Sequence, residues 1–306
     1  MRYAIITDHT VEALYGGAFK GASIFSFPPG EKYKTRETKE KLEDLLLESG
    51  HTRDTTIVGL GGGVVTDIAG YVAATFCRGV PLVLIPTTLV GMVDAAIGGK
   101  NGVNTPLGKN MVGTIYHPER VIIDTRFLKT LTEKEYQNGK VEIMKMGLIA
   151  DESLLYSQDI FQAIEVKRRI VALDSRETGR RRLLNLGHTV GHALEHLSGY
   201  EISHGEAVSL GIRIECQCAY RMGLLREKDW LIIEALFPKQ EIPYSQEELK
   251  SAMLLDKKSK GATFRFVLLK QIGKPLPFEG EYCSGVPDTI LSEVLDEYVV
   301  CKCASP

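Results

Sequence analysis

Four of the chain's seven histidines stand in NLGHTVGHALEHLSGYEISHGE, residues 185–206. His188 and His192 are four apart, and His196 follows four later. On a helix such residues share one face, so their rings would line up. His204 comes after a turn signal at Ser198-Gly199-Tyr200 and opens a second apolar segment, Gly205 to Ile214. Two helices meeting at an angle would bring His188 and His204 together. Neutral imidazole is the commonest protein ligand for zinc. The spacing alone also suits surface or helix-end histidines, and it lacks the glutamate after the first histidine that marks the metalloprotease helix. The clustering, framed by glycines and followed by Gly-Glu, favours a metal site.

Four other stretches could do chemistry. In KVEIMKMGLIAD (140–151), Glu142 and Lys145 are three apart among apolar neighbours. That is either an i, i+3 surface pair or a buried pair whose charges need partners. In the second case Glu142 could complete a two-histidine, one-carboxylate catalytic metal site. In GLGGGVVTDIAG (59–70) a predicted strand runs into three glycines and then a helix. Glycines admit a phosphate to the backbone amides, and a helix N-terminus favours negative charge. The spacing is not the strict G-x-G-x-x-G fingerprint, so the readings are a dinucleotide pyrophosphate site or a turn that only packs helix on strand. Residues 85–113, IPTTLVGMVDAAIGGKNGVNTPLGKNMVG, hold Thr87, Thr88, Asp94, Lys100, Asn104, Lys109 and Asn110 between glycines. The segment reads as a long structured binding loop, with lysines and amides suited to phosphate or carboxylate, or as a solvated excursion. Finally Lys167, Arg168, Arg169, Arg180, Arg181 and Arg182 precede the histidines. Most should face solvent, with one or two free to bind an anionic substrate.

The elements that must position these groups fall into two kinds. Strands are predicted at Tyr3–Thr7, Ser23–Phe27, Thr55–Gly59, Pro81–Pro86 and Arg120–Asp124. Helices at Val11–Lys20, Thr35–Ser49 and Val64–Thr75 alternate with them, which argues for a parallel sheet in an α/β domain. From about residue 127 the pattern turns helical: Glu133–Ala150, Asp159–Asp174, Gly187–Leu197, His204–Met222 and Glu227–Leu236. A strand-like run at Arg265–Leu269 and a helix at Leu291–Tyr298 close the chain. The reading is two domains, 1–126 and 127–306. No Pro/Ser-rich linker separates them, so they should pack closely with a cleft between.

Composition fits a globular chain of this length: 306 residues, 44% hydrophobic and 25% charged. The formal net charge of −2 argues against a nucleic-acid binder. No run reaches 18 apolar residues and the N-terminal stretch has no signal-peptide pattern, so neither a signal peptide nor a membrane span is expected. Six sparse cysteines (Cys77, Cys216, Cys218, Cys283, Cys301, Cys303) read as reduced thiols of a cytoplasmic protein.

Taken together, GGGVVTDIAG, FCRGVPLVLIPTTL, VDAAIGGKNGVNTPLGKN, VEIMKMGLI, LNLGHTVGHALEH, HGEAV and LLDKK resemble the 3-dehydroquinate synthases of the sugar-phosphate cyclase group, in the family's order across residues 59–258. The resemblance implies a Rossmann-like NAD-binding domain, a helical metal- and substrate-binding domain, and an active site in the cleft between. It implies conversion of 3-deoxy-D-arabino-heptulosonate 7-phosphate to 3-dehydroquinate and phosphate, with NAD recycled and one divalent ion, zinc or cobalt. By position it implies Glu142, His188 and His204 as metal ligands. His192, Lys100, Asp94, Asn185 and Lys145 would be catalytic groups, with His192 a proton relay. Arg78, Asn110, Lys167, Arg181, Lys257 and Lys258 would bind the substrate, Arg78 reaching a neighbouring subunit in a homodimer. Asp8, Glu31, Lys34, Gly62, Gly63, Val64, Asp67, Thr87, Thr88, Lys109, Phe127 and Thr130 would contact NAD. His196 is assigned no role.

This chain departs from the family pattern at His9-Thr10, Ala95-Ala96, Val141 and Met146. None of these removes an expected ligand. Other readings are a different sugar-phosphate cyclase, a metal-dependent polyol dehydrogenase of related fold, and a catalytically inactive binding relative. A dehydrogenase would lack the lysine-rich GGKNGVNTPLGKN loop and would release NADH.

Overall fold

The computed structural model describes residues 2–254, 264–278 and 281–300. Lys257, Lys258, Cys301 and Cys303 lie outside the described residues. By packing, the chain divides into two compact units, Met1–Lys140 and Val141–Pro306. The sequence reading put the change of character at 126/127. The division by packing falls later, because the 3-10 turn Thr125–Thr130 stays with the first unit, where Phe127 meets Tyr15 edge-on.

The first unit is built on strands β1 (Arg2–Asp8), β2 (Ser23–Phe27), β3 (Thr55–Gly61) and β4 (Leu82–Pro86), with a hairpin of β5 (Lys100–Thr105) and β6 (Gly108–Ile115), and β7 (Arg120–Val121). Helices α1 (His9–Tyr15), α2 (Arg36–Glu48) and α3 (Gly63–Thr75) lie between them. Five strands form one sheet in the order β2-β1-β3-β4-β7, every pair parallel. The central strand β3 is buried along its whole length, as a strand covered on both faces must be. Alternate residues serve the two faces. Ala4, Ile6 and Ile57 join Val65, Ile68 and Val72 of α3, while Ile5, Val58 and Leu60 pack with Val11. Chain order reverses between β1 and β3, the switch point where open α/β sheets bind ligands.

Local chemistry fixes the helix starts. Asp8 accepts from the amide of Val11 at 2.9 Å and caps α1. Thr35 accepts from the amide of Thr38 at 3.2 Å and caps α2, which buries Leu42 and Leu46 one turn apart. Two expectations change. The stretch 85–113 is no single loop: Gly91–Ala95 forms a π-helical turn, and Lys100–Ile115 forms the hairpin. The strand expected at Arg120–Asp124 stops at Val121, because Asp124 turns the chain by accepting from the amide and guanidinium of Arg126. That guanidinium, with the amide, holds the Asp124 carboxyl down at about 2.

Helix α4 (Glu133–Ile149) carries the chain from the first unit into the second. Then come α5 (Leu154–Ser157), α6 (Ile160–Leu173), α7 (His188–Leu197), α8 (His204–Arg221), α9 (Glu227–Leu236), α10 (Gln246–Leu254) and α11 (Asp288–Asp296). The strand run expected at Arg265–Leu269 is split into β8 (Phe264–Phe266) and β9 (Leu269–Gln271). The latter pairs with β10 (Lys274–Pro275) and the former with β11 (Ser284–Val286). Arg213 of α8 is buried and ties this unit together. Its guanidinium donates to Tyr298 Oη at 3.0 Å and to the carbonyls of Glu234 and Phe237 at 2.8 Å each.

Helices α7 and α8 touch backbone to backbone. A Cβ on Gly211 would lie 2.0 Å from the carbonyl oxygen of Gly187, whose own φ of 79° suits glycine. Gly211→Ala is expected to force these helices apart and cost about 3 kcal/mol, the upper range for overpacking. Urea unfolding followed by circular dichroism measures the loss; an unchanged midpoint would show that the contact yields without cost.

Candidate functional site

In the second unit, Glu142, His188 and His204 bring their ligand atoms within 4.8 Å of one another, one from each of α4, α7 and α8. His188 Nε2 is 3.7 Å and His204 Nε2 is 3.4 Å from Glu142 Oε1. Glu142 is fully buried and His188 nearly so. Each ring is held by its other nitrogen. His188 Nδ1 lies 3.1 Å from the carbonyl of Leu186, and His204 Nδ1 lies 3.3 Å from Glu195 Oε1. An acceptor at Nδ1 fixes the tautomer that leaves Nε2 as the lone-pair donor. Two imidazoles and one carboxylate so arranged suit a divalent ion that keeps further positions for substrate.

The surroundings serve the triad. The ammonium of buried Lys145 donates to Glu142 Oε2, one helical turn away. The His192 ring meets that of His188 edge-on at 5.2 Å between centroids. Ser203 caps α8 reciprocally with Glu206, fixing the backbone at His204. His196, in the last turn of α7, is half-buried.

Nearby in sequence, Arg181 is buried, and its Nη1 donates to the carbonyl of Ser175 at 2.7 Å. Its amide, with those of Thr178 and Gly179, donates to Asp174. Partial burial works to raise the Asp174 pKa, but the amides of Arg181, Gly179 and Thr178 prevail and hold it at about 2. Asn185 Nδ2 donates to Glu177 Oε1 at 2.6 Å, and Lys167 is buried in α6.

The first unit gathers a second set. Gly62 precedes α3 and Gly63 begins it, so the helix N-terminus follows directly on the end of β3. The glycines admit close neighbours: a Cβ on Gly62 would sit 2.9 Å from Thr88 Cγ2, and one on Gly63 3.3 Å from Ala95 Cβ. Thr88 Oγ1 accepts from the amide of Gly91 at 3.0 Å, and Thr87 donates its amide to Gly61 O at 2.9 Å. Val64 and Asp67 follow on the first turns of α3. Burial pushes the Asp67 carboxyl up, opposed by the ammonium of Lys34 paired with it. Lys34 also donates to Asn110 Oδ1 at 2.7 Å. Glu31 Oε1 accepts from Asn104 Nδ2 at 2.8 Å and lies 3.8 Å from Lys109 Nζ. Asn110 thus sits beside Lys34. Asp94 lies in the π-helical turn, and Lys100 opens β5. Thr130 Oγ1 is 2.5 Å from Tyr15 Oη. Arg78 follows Cys77, both with positive φ.

Sequence reading did not single out Glu195 or Asp174. Glu195 lies seven residues after His188, which puts it on the same helix face, and that spacing was its available signal.

An α/β unit with a glycine-framed helix start, and a helical unit with a Glu-His-His triad, define a dinucleotide- and metal-binding class of protein. The chain belongs to the 3-dehydroquinate synthase family. Residues 24–138 match that family's N-terminal domain and residues 139–259 its C-terminal domain. It is 40% identical to the 3-dehydroquinate synthase of Nitrosospira multiformis over 97% of this chain and 88% of that one. With the enzyme of Corynebacterium jeikeium it shares 44% identity over 82% of this chain and 74% of that one. It matches the pentafunctional AROM polypeptide of Pneumocystis carinii at 36% identity over 97% of its own length, but spans only 23% of that polypeptide. Among solved structures, 2-deoxy-scyllo-inosose synthase, complexed with carbaglucose-6-phosphate, NAD+ and Co2+, superposes with a TM-score of 0.87. That match is 28% identical and covers 97% of this chain and 90% of the other. An iron-containing alcohol dehydrogenase from Thermotoga maritima, at 16% identity and a TM-score of 0.61, shares the fold alone.

Asp174 offers a pH test. An aspartate's ordinary value is about 3.9, so a carboxyl held near 2 stabilises the fold above the ordinary value and loses that effect as pH falls through the folded one. Asp174→Asn is expected to be less stable than the parent at pH 7, with the gap narrowing from pH about 4 downward. Urea midpoints of both proteins across that range give the result; a gap independent of pH would assign the loss to shape rather than charge.

Proposed function

We propose that this protein is a 3-dehydroquinate synthase, converting 3-deoxy-D-arabino-heptulosonate 7-phosphate to 3-dehydroquinate and phosphate, the second step of the shikimate pathway. The observation that carries the reading is the convergence of Glu142, His188 and His204, in a chain about 40% identical to named synthases over most of its length. Identity to the solved inosose synthase is lower, which favours the synthase over another cyclase.

Glu142, His188 and His204 would hold the divalent ion, and the β3–α3 junction with Asp67, Thr87, Thr88, Lys109, Phe127 and Thr130 would hold NAD. Asp8, Glu31 and Lys34 would serve the adenosine end. An ion held by the triad would supply a Lewis acid to the substrate, and NAD a hydride acceptor that is restored within the cycle.

The chain's own residues do the rest. Lys145 pairs with Glu142 inside the fold. Lys100, Lys167, Arg181, Asn110 and Asn185 bind the substrate's anionic groups, together with Lys257 and Lys258, and bidentate guanidinium suits its carboxylate or phosphate. Asp94 would act in the catalytic steps. His192, against His188, relays the proton from the C5 hydroxyl. Oxidation at C5 acidifies the neighbouring C–H, and phosphate leaves, its own oxygen taking that proton. Reduction, ring opening and an intramolecular aldol follow. The protein acts as a cytoplasmic homodimer, with Arg78 completing the neighbouring subunit's phosphate site. Among the described residues no helix is long and apolar enough to cross a membrane.

Phosphate release from 3-deoxy-D-arabino-heptulosonate 7-phosphate is expected to need NAD and a chelatable metal, with no build-up of NADH. His188→Ala should reduce turnover by at least about 100-fold, the upper end of what losing only an outer-shell partner of a ligand costs. A folded, metal-loaded protein that releases no phosphate, or one that accumulates NADH with a polyol, would overturn the reading.

A further inference from the structure

The two histidines of the triad are oriented by different means. His188 Nδ1 faces the peptide carbonyl of Leu186, two residues back in its own chain. His204 Nδ1 instead faces a carboxylate, Glu195 Oε1, at 3.3 Å. Glu195 comes from the other helix, α7, and is only 3% exposed. A carboxylate is costly to bury unless it is paired and hydrogen-bonded. Here it stands against the one ring of the triad whose side chain is 22% exposed.

Both rings stand at helix starts. His204 is the first residue of α8, as His188 is of α7, and each so lies at the positive end of a helix dipole. That end draws electron density from a ring and weakens its lone pair. A carboxylate at the opposite nitrogen reverses the effect: it holds the Nδ1 proton, makes Nε2 the donor atom and raises its basicity. The capping box of Ser203 and Glu206 fixes the backbone of His204.

We propose that Glu195 is the positioning residue of the metal centre, holding His204 in the Nδ1–H tautomer with Nε2 aimed at the ion. Glu195 touches neither substrate nor ion; it acts through His204. The proposal rests on the reading that Glu142, His188 and His204 bind a divalent ion, and the test separates the two. A glutamine here has the same shape but no charge. Its amide can present either its oxygen or its NH2 to Nδ1, and the second choice puts the imidazole proton on Nε2, where it blocks the ligand atom.

The experiment compares the full-length parent with Glu195→Ala, Glu195→Gln and His188→Ala. Affinity for Co2+ alone is measured by competition with a chromogenic chelator, and the visible spectrum of the Co2+ protein is recorded. The His204 tautomer is read from long-range 1H–15N spectra of the metal-free, histidine-labelled proteins. We expect Glu195→Ala to bind Co2+ about 10- to 100-fold more weakly, and Glu195→Gln to fall between it and the parent. The cobalt bands should shift, and His204 should change from pure Nδ1–H to a mixture. Parent-like affinity, bands and tautomer in Glu195→Ala would overturn the proposal. If that variant does not fold, the same three parent-like readouts in Glu195→Gln would overturn it. Unweakened Co2+ binding by His188→Ala would instead overturn the metal-site reading beneath it.

Discussion

The second unit depends on a carboxylate in a place where water cannot reach it. Glu142 has no exposed surface, and an ionised group there must be surrounded by compensating charge and donors. Lys145 supplies part of this from one turn along α4. The nitrogens of His188 and His204 face the other oxygen. Because these come from α7 and α8, the packing of three helices is answerable to one carboxylate. The glycine contact between α7 and α8 brings their backbones as close as they can come, and so sets how far apart the two rings can lie.

The first unit solves a comparable problem with more numerous, weaker contacts. Lys34 joins three elements: the turn after β2, helix α3 through Asp67, and the hairpin through Asn110. Asn104 closes the group, since its amide donates to the carbonyl of Lys34 and its side chain to Glu31. The polar hairpin is therefore fastened to the turn and helix that flank the glycine-rich junction. Its lysines are spaced by sheet geometry rather than by the drift of a loop.

Much of this was legible in the sequence. Periodic apolar positions and capping residues placed β2, α2, α3, α4, α7, α8 and α9 to within a residue or two, because those signals are local. The meeting of His188 and His204 followed from helix spacing and a turn, whereas the sequence left Glu142 open between a surface pair and a buried site carboxylate, and its burial decides between them. The hairpin did not follow, because Gly102 and Gly113 carry no side chains to show alternation and Asn101 is satisfied by the distant carbonyl of Tyr116. The split of the Arg265–Leu269 run came from two different partner strands, β10 and β11, which no local pattern could announce. Asp174 reads as an ordinary helix-end acid until the chain folds back and its amides arrive.

One contact in the first unit bears on how such a chain can change over time. A Cβ on Gly70 of α3 would fall 1.9 Å from the amide oxygen of Asn101. Asn101 occupies that notch while its nitrogen bridges the carbonyls of Gly99 and Tyr116. A side chain at 70 would evict the amide, and a larger group at 101 would strike the helix. Two positions thirty-one apart in the sequence are thus sterically coupled, and a larger side chain at either would loosen the tie between the hairpin and the helix that starts at the glycine-rich junction.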